Sequence, residues 1–187
     1  MNEATQRLFF ALWPDAATSD ALATLAQQVA AESGGRPTAP GNVHLTLAFL
    51  GDQPRRIARE LTAAAARISA PSFDLVLDSV DSWRKNAIAW AGVQSVPPPL
   101  VELQQKIARS LLVSGLEPEE RPFAVHVTLA RRITVAVRHP LAPPLVWHVT
   151  AFALVASELD VAGARYRVLS SWPLAHRPHD DREIGQK

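Results

Sequence analysis

From Arg7 to Trp13 the chain is an unbroken run of aliphatic and aromatic residues (RLFFALW) closed by Pro14-Asp15, the mark of a buried strand. Over residues 16–33 the apolar positions take helical spacing, with Leu22, Leu25 and Val29 among Ala, Gln and Thr. Asp15 stands where a cap belongs, and Gly34-Gly35 where the helix must stop. Arg36 to Asn42 reads as a loop and Val43 to Leu50 as a strand closed by Gly51-Asp52. Residues 54–70 read as a second helix, with Pro54 in its first turn, Ile57, Leu61 and Ile68 inside and mostly Arg outside. Phe73, Leu75 and Leu77 alternate with Asp74 and Asp78, which predicts a strand with one partly wet face, paired with Ala87 to Val93. Pro97 to Pro99 launch a third helix through Leu100, Leu103, Ile107, Leu111 and Leu112, ended by Gly115. Residues 116–122 form a polar loop. Strands follow at Val125 to Arg132, within Leu145 to Leu159, and at Tyr166 to Trp172. Residues 1–174 therefore read as one domain and 175–187 as a polar tail.

Helices seldom separate neighbouring strands in this order, so the pattern favours an α+β fold with largely antiparallel sheet over a doubly wound one. The 187 residues, 48% hydrophobic and 20% charged, suffice for one domain with a real core, with room for two small lobes sharing it. With 19 basic and 18 acidic side chains the net charge is +1, which excludes the broad basic surface of a general duplex-DNA binder and leaves only local nucleic-acid contact. The absence of cysteine excludes disulfides, thiolate metal sites and cysteine nucleophiles. No apolar run approaches the ~20 residues that span a bilayer, and the first residues lack the basic and apolar regions of a secretory signal. A cytoplasmic monomer is the default expectation.

One internal echo changes the picture. His44-Leu45-Thr46-Leu47-Ala48 and His126-Val127-Thr128-Leu129-Ala130 differ at one position and lie about half a chain apart. Each falls in a predicted strand preceded by a helix and a proline-containing loop. The simplest architecture is a duplicated unit: two lobes related by a pseudo-twofold axis, helices outside, the two motif strands facing a central cleft. Side chains at i and i+2 share one face of a strand. His44 and Thr46 then face the cleft while Leu45, Leu47 and Phe49 pack under the helices, and the second copy repeats this with Val125, Val127 and Leu129.

Two imidazoles that titrate near neutrality divide a reaction into a base and an acid, which phosphodiester cleavage requires. Thr46 and Thr128 can donate to nonbridging phosphoryl oxygens, and an arginine adds a charge-assisted donor. Arg131 is the nearest candidate. Strict alternation points it away from His126, so its role requires the strand to twist or end there. Plainer readings compete. Alone, His44 reads as an ordinary strand histidine, and only the repeat at half-chain spacing reverses that preference. His148-Val149-Thr150 is a third His-x-Thr, but it lacks the following Leu-Ala and sits between Trp147 and Ala151-Phe152, so it reads as structural. Neither motif has a carboxylate or second histidine at ligand spacing, which argues against a metal. The excess of 16 Arg over 3 Lys suits phosphate recognition, and a GC-rich genome explains it equally well.

RLFFALWPD at 7–15, NVHLTLAFLGD at 42–52, FAVHVTLAR at 123–131 and SELDVAGARYRVLSSWPL at 157–174 together resemble, in order, segments of the 2H phosphoesterase superfamily. The closest likeness is to its RNA 2′,3′-cyclic phosphodiesterase branch, also called 2′-5′ RNA ligases. Val125 departs from the family, which often has proline there. The resemblance implies a bilobal α+β fold with the site between lobes, no metal or other cofactor, and RNA ends or small cyclic-phosphate nucleotides as partners. It implies hydrolysis of a terminal 2′,3′-cyclic phosphate to a 2′-phosphomonoester, with His44 as proton donor to the leaving O3′, His126 as base for water, and Thr46, Thr128 and Arg131 as phosphate ligands. Reversible 2′-5′ ligation or cleavage, and a non-catalytic module binding RNA ends or nucleotides, are the alternatives.

Overall fold

Asp15 and Gly34 bound the first helix as their chemistry dictates. The Asp15 carboxylate accepts a hydrogen bond from the Thr18 N–H at 2.7 Å, and Gly34 closes the last turn at φ 65°, a conformation that costs glycine little. The computed structural model describes residues 4–117, 122–160 and 163–176. Its elements are β1 (Thr5–Leu12), α1 (Ala16–Ser33), β2 (Arg36–Pro37), a 3₁₀ turn (Pro40–Asn42), β3 (Leu45–Pro54), α2 (Ile57–Ala65), β4 (Phe73–Trp83), β5 (Ile88–Gly92), α3 (Pro98–Val113), β6 (Val127–Arg131), β7 (His139–Val149), β8 (Ala151–Asp160) and β9 (Gly163–Pro173). No described helix is long and apolar enough to cross a membrane.

Three local expectations change, each for a tertiary reason. Arg36-Pro37, expected in a loop, pairs with Arg131 and Ala130 as a short edge strand, where proline's missing N–H costs nothing. The second helix begins at Ile57 because β3 runs on to Pro54 while pairing with Thr5 to Leu8 of β1. Leu145 to Leu159, expected to hold one strand, belongs to two. The chain breaks at Thr150, whose carbonyl accepts from the Leu174 N–H at 2.8 Å, so that β7 pairs with β4 and β8 with β1 and β9. Of the expected tail, Ala175 is tied to Pro71 by a bridge, and 177–187 lie outside the described residues.

The strands form one sheet in the order β7-β4-β5-β6-β3-β1-β8-β9, with β2 alongside β6 and every strand pairing antiparallel. Its two halves, β4 to β7 and β1-β3-β8-β9, meet at β3 and β6, which share the single register pair Leu45↔Val127. Both residues are completely buried, and each such burial contributes about 1.5–3 kcal/mol. The helices cross the seam reciprocally. Helix α1, between β1 and β3 in sequence, packs on β6, β2 and β5, while α3, between β5 and β6, packs on β3 and α2. This is the expected bilobal α+β architecture, with the motif strands lying edge to edge rather than across an open gap, and one apolar core runs beneath both halves.

Candidate active site

The pair Leu45↔Val127 fixes what stands on the other face of the sheet. In an antiparallel ladder the neighbouring positions run in opposite directions, so His44 comes beside Thr128 and Thr46 beside His126. Each histidine immediately precedes its strand and is held the same way. His44 Nδ1–H donates to the Asn42 carbonyl at 2.6 Å, and His126 Nδ1–H to the Ala124 carbonyl at 2.9 Å. A carbonyl can only accept, so Nδ1 carries the proton in both rings and each Nε2 keeps its lone pair for chemistry.

The rings differ in surroundings. His44 stacks on Trp13 at 5.4 Å with 6° between planes, with Phe9 at 5.0 Å and Tyr166 edge-on at 5.1 Å. His126 meets Trp83 edge-on at 4.7 Å. Burial is the largest influence on both, pushing His44 from 6.5 down to about 4 and His126 down less strongly. The backbone carbonyl acceptors oppose this shift, and the charge of Arg131 adds to it at both rings.

A β-bulge accounts for that shared influence. Across β5 and β6 the register runs Ala91↔Val127 and Trp90↔Thr128, then Ala89↔Ala130 and Ile88↔Arg131, leaving Leu129 extra. The inserted residue resets the alternation, so Arg131 shares the face of Thr128. Trp90, opposite Thr128, lies against Trp83 at 5.2 Å. A Cβ at Gly92 would overlap the Trp90 ring, so glycine there lets the stack that backs His126 form.

A cavity of about 470 Å³ opens beside His126, lined by Thr46, Phe49, Trp83, Asn86, Gln104 and Phe123 among others. It combines aromatic walls with two amides, a common makeup for a small-molecule site. Thr46 was expected here, whereas Phe49 was expected under the helices; the register shifts of β3, which pair Thr46 with Ala11 and Phe49 with Phe9, bring it to the cleft face instead. The sequence did not single out the others. The strand that carries Phe9 was legible, but not the place of Phe9 and Trp13 beside His44, and Trp83 and Asn86 lie between two predicted strands with no pattern to mark them.

His148 sits elsewhere. Two strands, β4 and β5, separate β7 from β6, roughly 14 Å at ordinary strand spacing. Its Nδ1 lies 2.6 Å from Asp74 Oδ1 across the β4–β7 ladder, and both side chains are exposed. His148→Ala should leave turnover within about twofold of wild type, as surface changes do. Steady-state rates on folded protein check this, and a loss as large as that of His126→Ala would place β7 in the site. Among the described residues no group of three His, Asp or Glu is arranged to hold a metal ion.

Comparison with known proteins adds the following. Residues 12–90 match the family model LigT like Phosphoesterase. The RNA 2′,3′-cyclic phosphodiesterase of Escherichia coli K12 is 35% identical over 171 residues, covering 90% of this chain and 97% of its own. That of Thermus thermophilus is 28% identical over 183 residues, covering 90% of each. Among solved structures, Escherichia coli LigT complexed with 3′-AMP superposes with a TM-score of 0.82 at 33% identity, over 91% of this chain and 99% of that one.

Proposed function

This chain belongs to the LigT-like phosphoesterase family, and from that premise we infer that it is an RNA 2′,3′-cyclic phosphodiesterase whose chemistry is carried by His44 and His126. The observation that supports the assignment of residues is the seam itself: two imidazoles, each with Nδ1–H tied to a carbonyl and Nε2 without a hydrogen-bond partner among the described residues, beside two threonine hydroxyls and one guanidinium.

In this reading the cyclic phosphate of an RNA end lies over the seam. Thr46 and Thr128 donate to its nonbridging oxygens, and Arg131 stabilises the charge that gathers there in the transition state. His126 Nε2 removes a proton from water, whose oxygen bonds to phosphorus. The P–O3′ bond breaks, and O3′ takes a proton from His44 Nε2, leaving a 2′-phosphomonoester and a free 3′-hydroxyl. The surroundings support these roles. The more strongly depressed imidazole is the stronger acid once protonated, and the less depressed one is the stronger base. The terminal base enters the cavity lined by Phe49, Trp83 and Phe123, where Asn86 and Gln104 meet its edge.

The pH dependence tests the pair. The productive state has one proton shared between two histidines whose free-enzyme values both lie below 6.5. As pH falls from 8 that state fills, and it empties again as pH passes below the value of about 4 at His44. The kcat/KM profile should therefore be a bell with its optimum below pH 6.5, whose limbs belong to the coupled pair. A bound phosphate anion favours both imidazolium forms, so the kcat bell should lie at higher pH. A profile flat between pH 5 and 8, with chemistry rate-limiting, would remove the two-histidine mechanism.

A further inference from the structure

Arg7 is a cation of the cleft face that this mechanism does not use. Strands β1 and β8 run in unbroken register, Arg7↔Ser157, Phe9↔Val155 and Ala11↔Ala153, so Arg7 leaves β1 on the face that carries Phe9, whose ring is 5.0 Å from that of His44. Its guanidinium carbon lies 4.9 Å from the centroid of the Phe49 ring, and Phe49 is a wall of the cavity beside Thr46 and His126. Arg7 is half-buried, and among the described residues it has no carboxylate partner; Asp52, opposite it on β3, makes no ion pair with it. A guanidinium set over an aromatic ring, partly out of water and with no carboxylate partner among the described residues, can receive a pair of oxygens from an anion.

We propose that Arg7 holds the phosphodiester on the 5′ side of the terminal nucleotide, so that the cleft recognises an RNA end in preference to a lone cyclic nucleotide. The proposal rests on the reading above, in which the cyclic phosphate occupies the seam. Arg7 stands two residues along β1 from Phe9, roughly 7 Å further from His44 at strand spacing. Its guanidinium is laid over Phe49 rather than beside the strand ends that carry Thr128 and Arg131, which leaves it for a second charge of the substrate. The next negative charge of an RNA strand is the phosphodiester linking the terminal nucleotide to its neighbour. With the terminal base in the cavity walled by Phe49, that linkage emerges past the same ring on which Arg7 is laid.

The test compares uridine 2′,3′-cyclic phosphate bearing a 5′-hydroxyl with the dinucleotide UpU bearing a 2′,3′-cyclic phosphate. Wild type should favour the dinucleotide in kcat/KM by about tenfold or more, the scale of one charge-assisted contact, mostly through KM, and the preference should shrink as salt is raised. Arg7→Gln should bring the ratio of the two substrates close to one, and Arg7→Lys, which keeps the charge but loses the fork, should restore part of it. Equal losses on both substrates in Arg7→Gln would mean a structural role, and an unchanged ratio would assign the preference to another group; either overturns the proposal. Turnover of neither substrate by wild type would instead overturn the reading of the seam.

Discussion

His44→Ala and His126→Ala should each lower kcat by about 10² to 10⁴ while leaving substrate affinity largely in place, because each removes one proton transfer and neither removes Thr46, Thr128 or Arg131. The double variant should lose far less than the product of the two single losses. Once either proton has no carrier, the other histidine serves a step that no longer limits the rate. Both substitutions also delete a partly buried ring, so rates must be read against folded protein. His44 is the harder case, since Trp13, Phe9 and Tyr166 pack around it. His44→Gln keeps volume and a donor to the Asn42 carbonyl, and it should show the same collapse in kcat. An affinity loss as large as the kcat loss would indicate that the imidazoles bind substrate rather than move protons.

A substrate in which sulfur replaces the leaving O3′ should rescue His44→Ala and not His126→Ala. A thiolate is a good leaving group without protonation, so the missing acid ceases to matter, whereas activation of water by His126 is needed as before. Restoration of most of the kcat lost in His44→Ala, with little change in His126→Ala, is the expected pattern when both variants are assayed on the oxygen and sulfur esters. Equal rescue would refute the division of roles while keeping the pair, and rescue of His126→Ala alone would exchange them.

The parts of this molecule that depend on local chemistry were readable from the sequence. Asp15 and Gly34 announce the ends of α1 because capping is a property of single residues, and the repeated His-x-Thr-Leu-Ala stands out because it pairs a rare chemistry with an ordinary apolar pattern. What was missed depends on partners far away in the chain. Nothing in Leu129 or Ala130 signals that Ala89 and Trp90 will pair around an extra residue, yet that bulge puts Arg131 on the face of Thr128. The break at Thr150 is equally silent, since the apolar pattern runs on through it while the chain passes from β4 to β1 as its partner. Arg36-Pro37 becomes a strand only because β6 offers it an edge. The aromatic surroundings of His44 are assembled from β1, from Trp13 just past its end, and from β9, which no window of sequence holds together.

The central claim is that the two-histidine seam opens a terminal 2′,3′-cyclic phosphate at O3′ without a metal. Its most direct measurement is incubation of a short RNA bearing that end with purified protein in EDTA, with the product resolved by phosphorus NMR against authentic 2′- and 3′-phosphate standards. Complete conversion to the 2′-phosphomonoester is expected for wild type, with none from the His44→Ala, His126→Ala double variant on the same timescale. A 3′-phosphate product, or turnover that appears only when a divalent ion is restored, would contradict it.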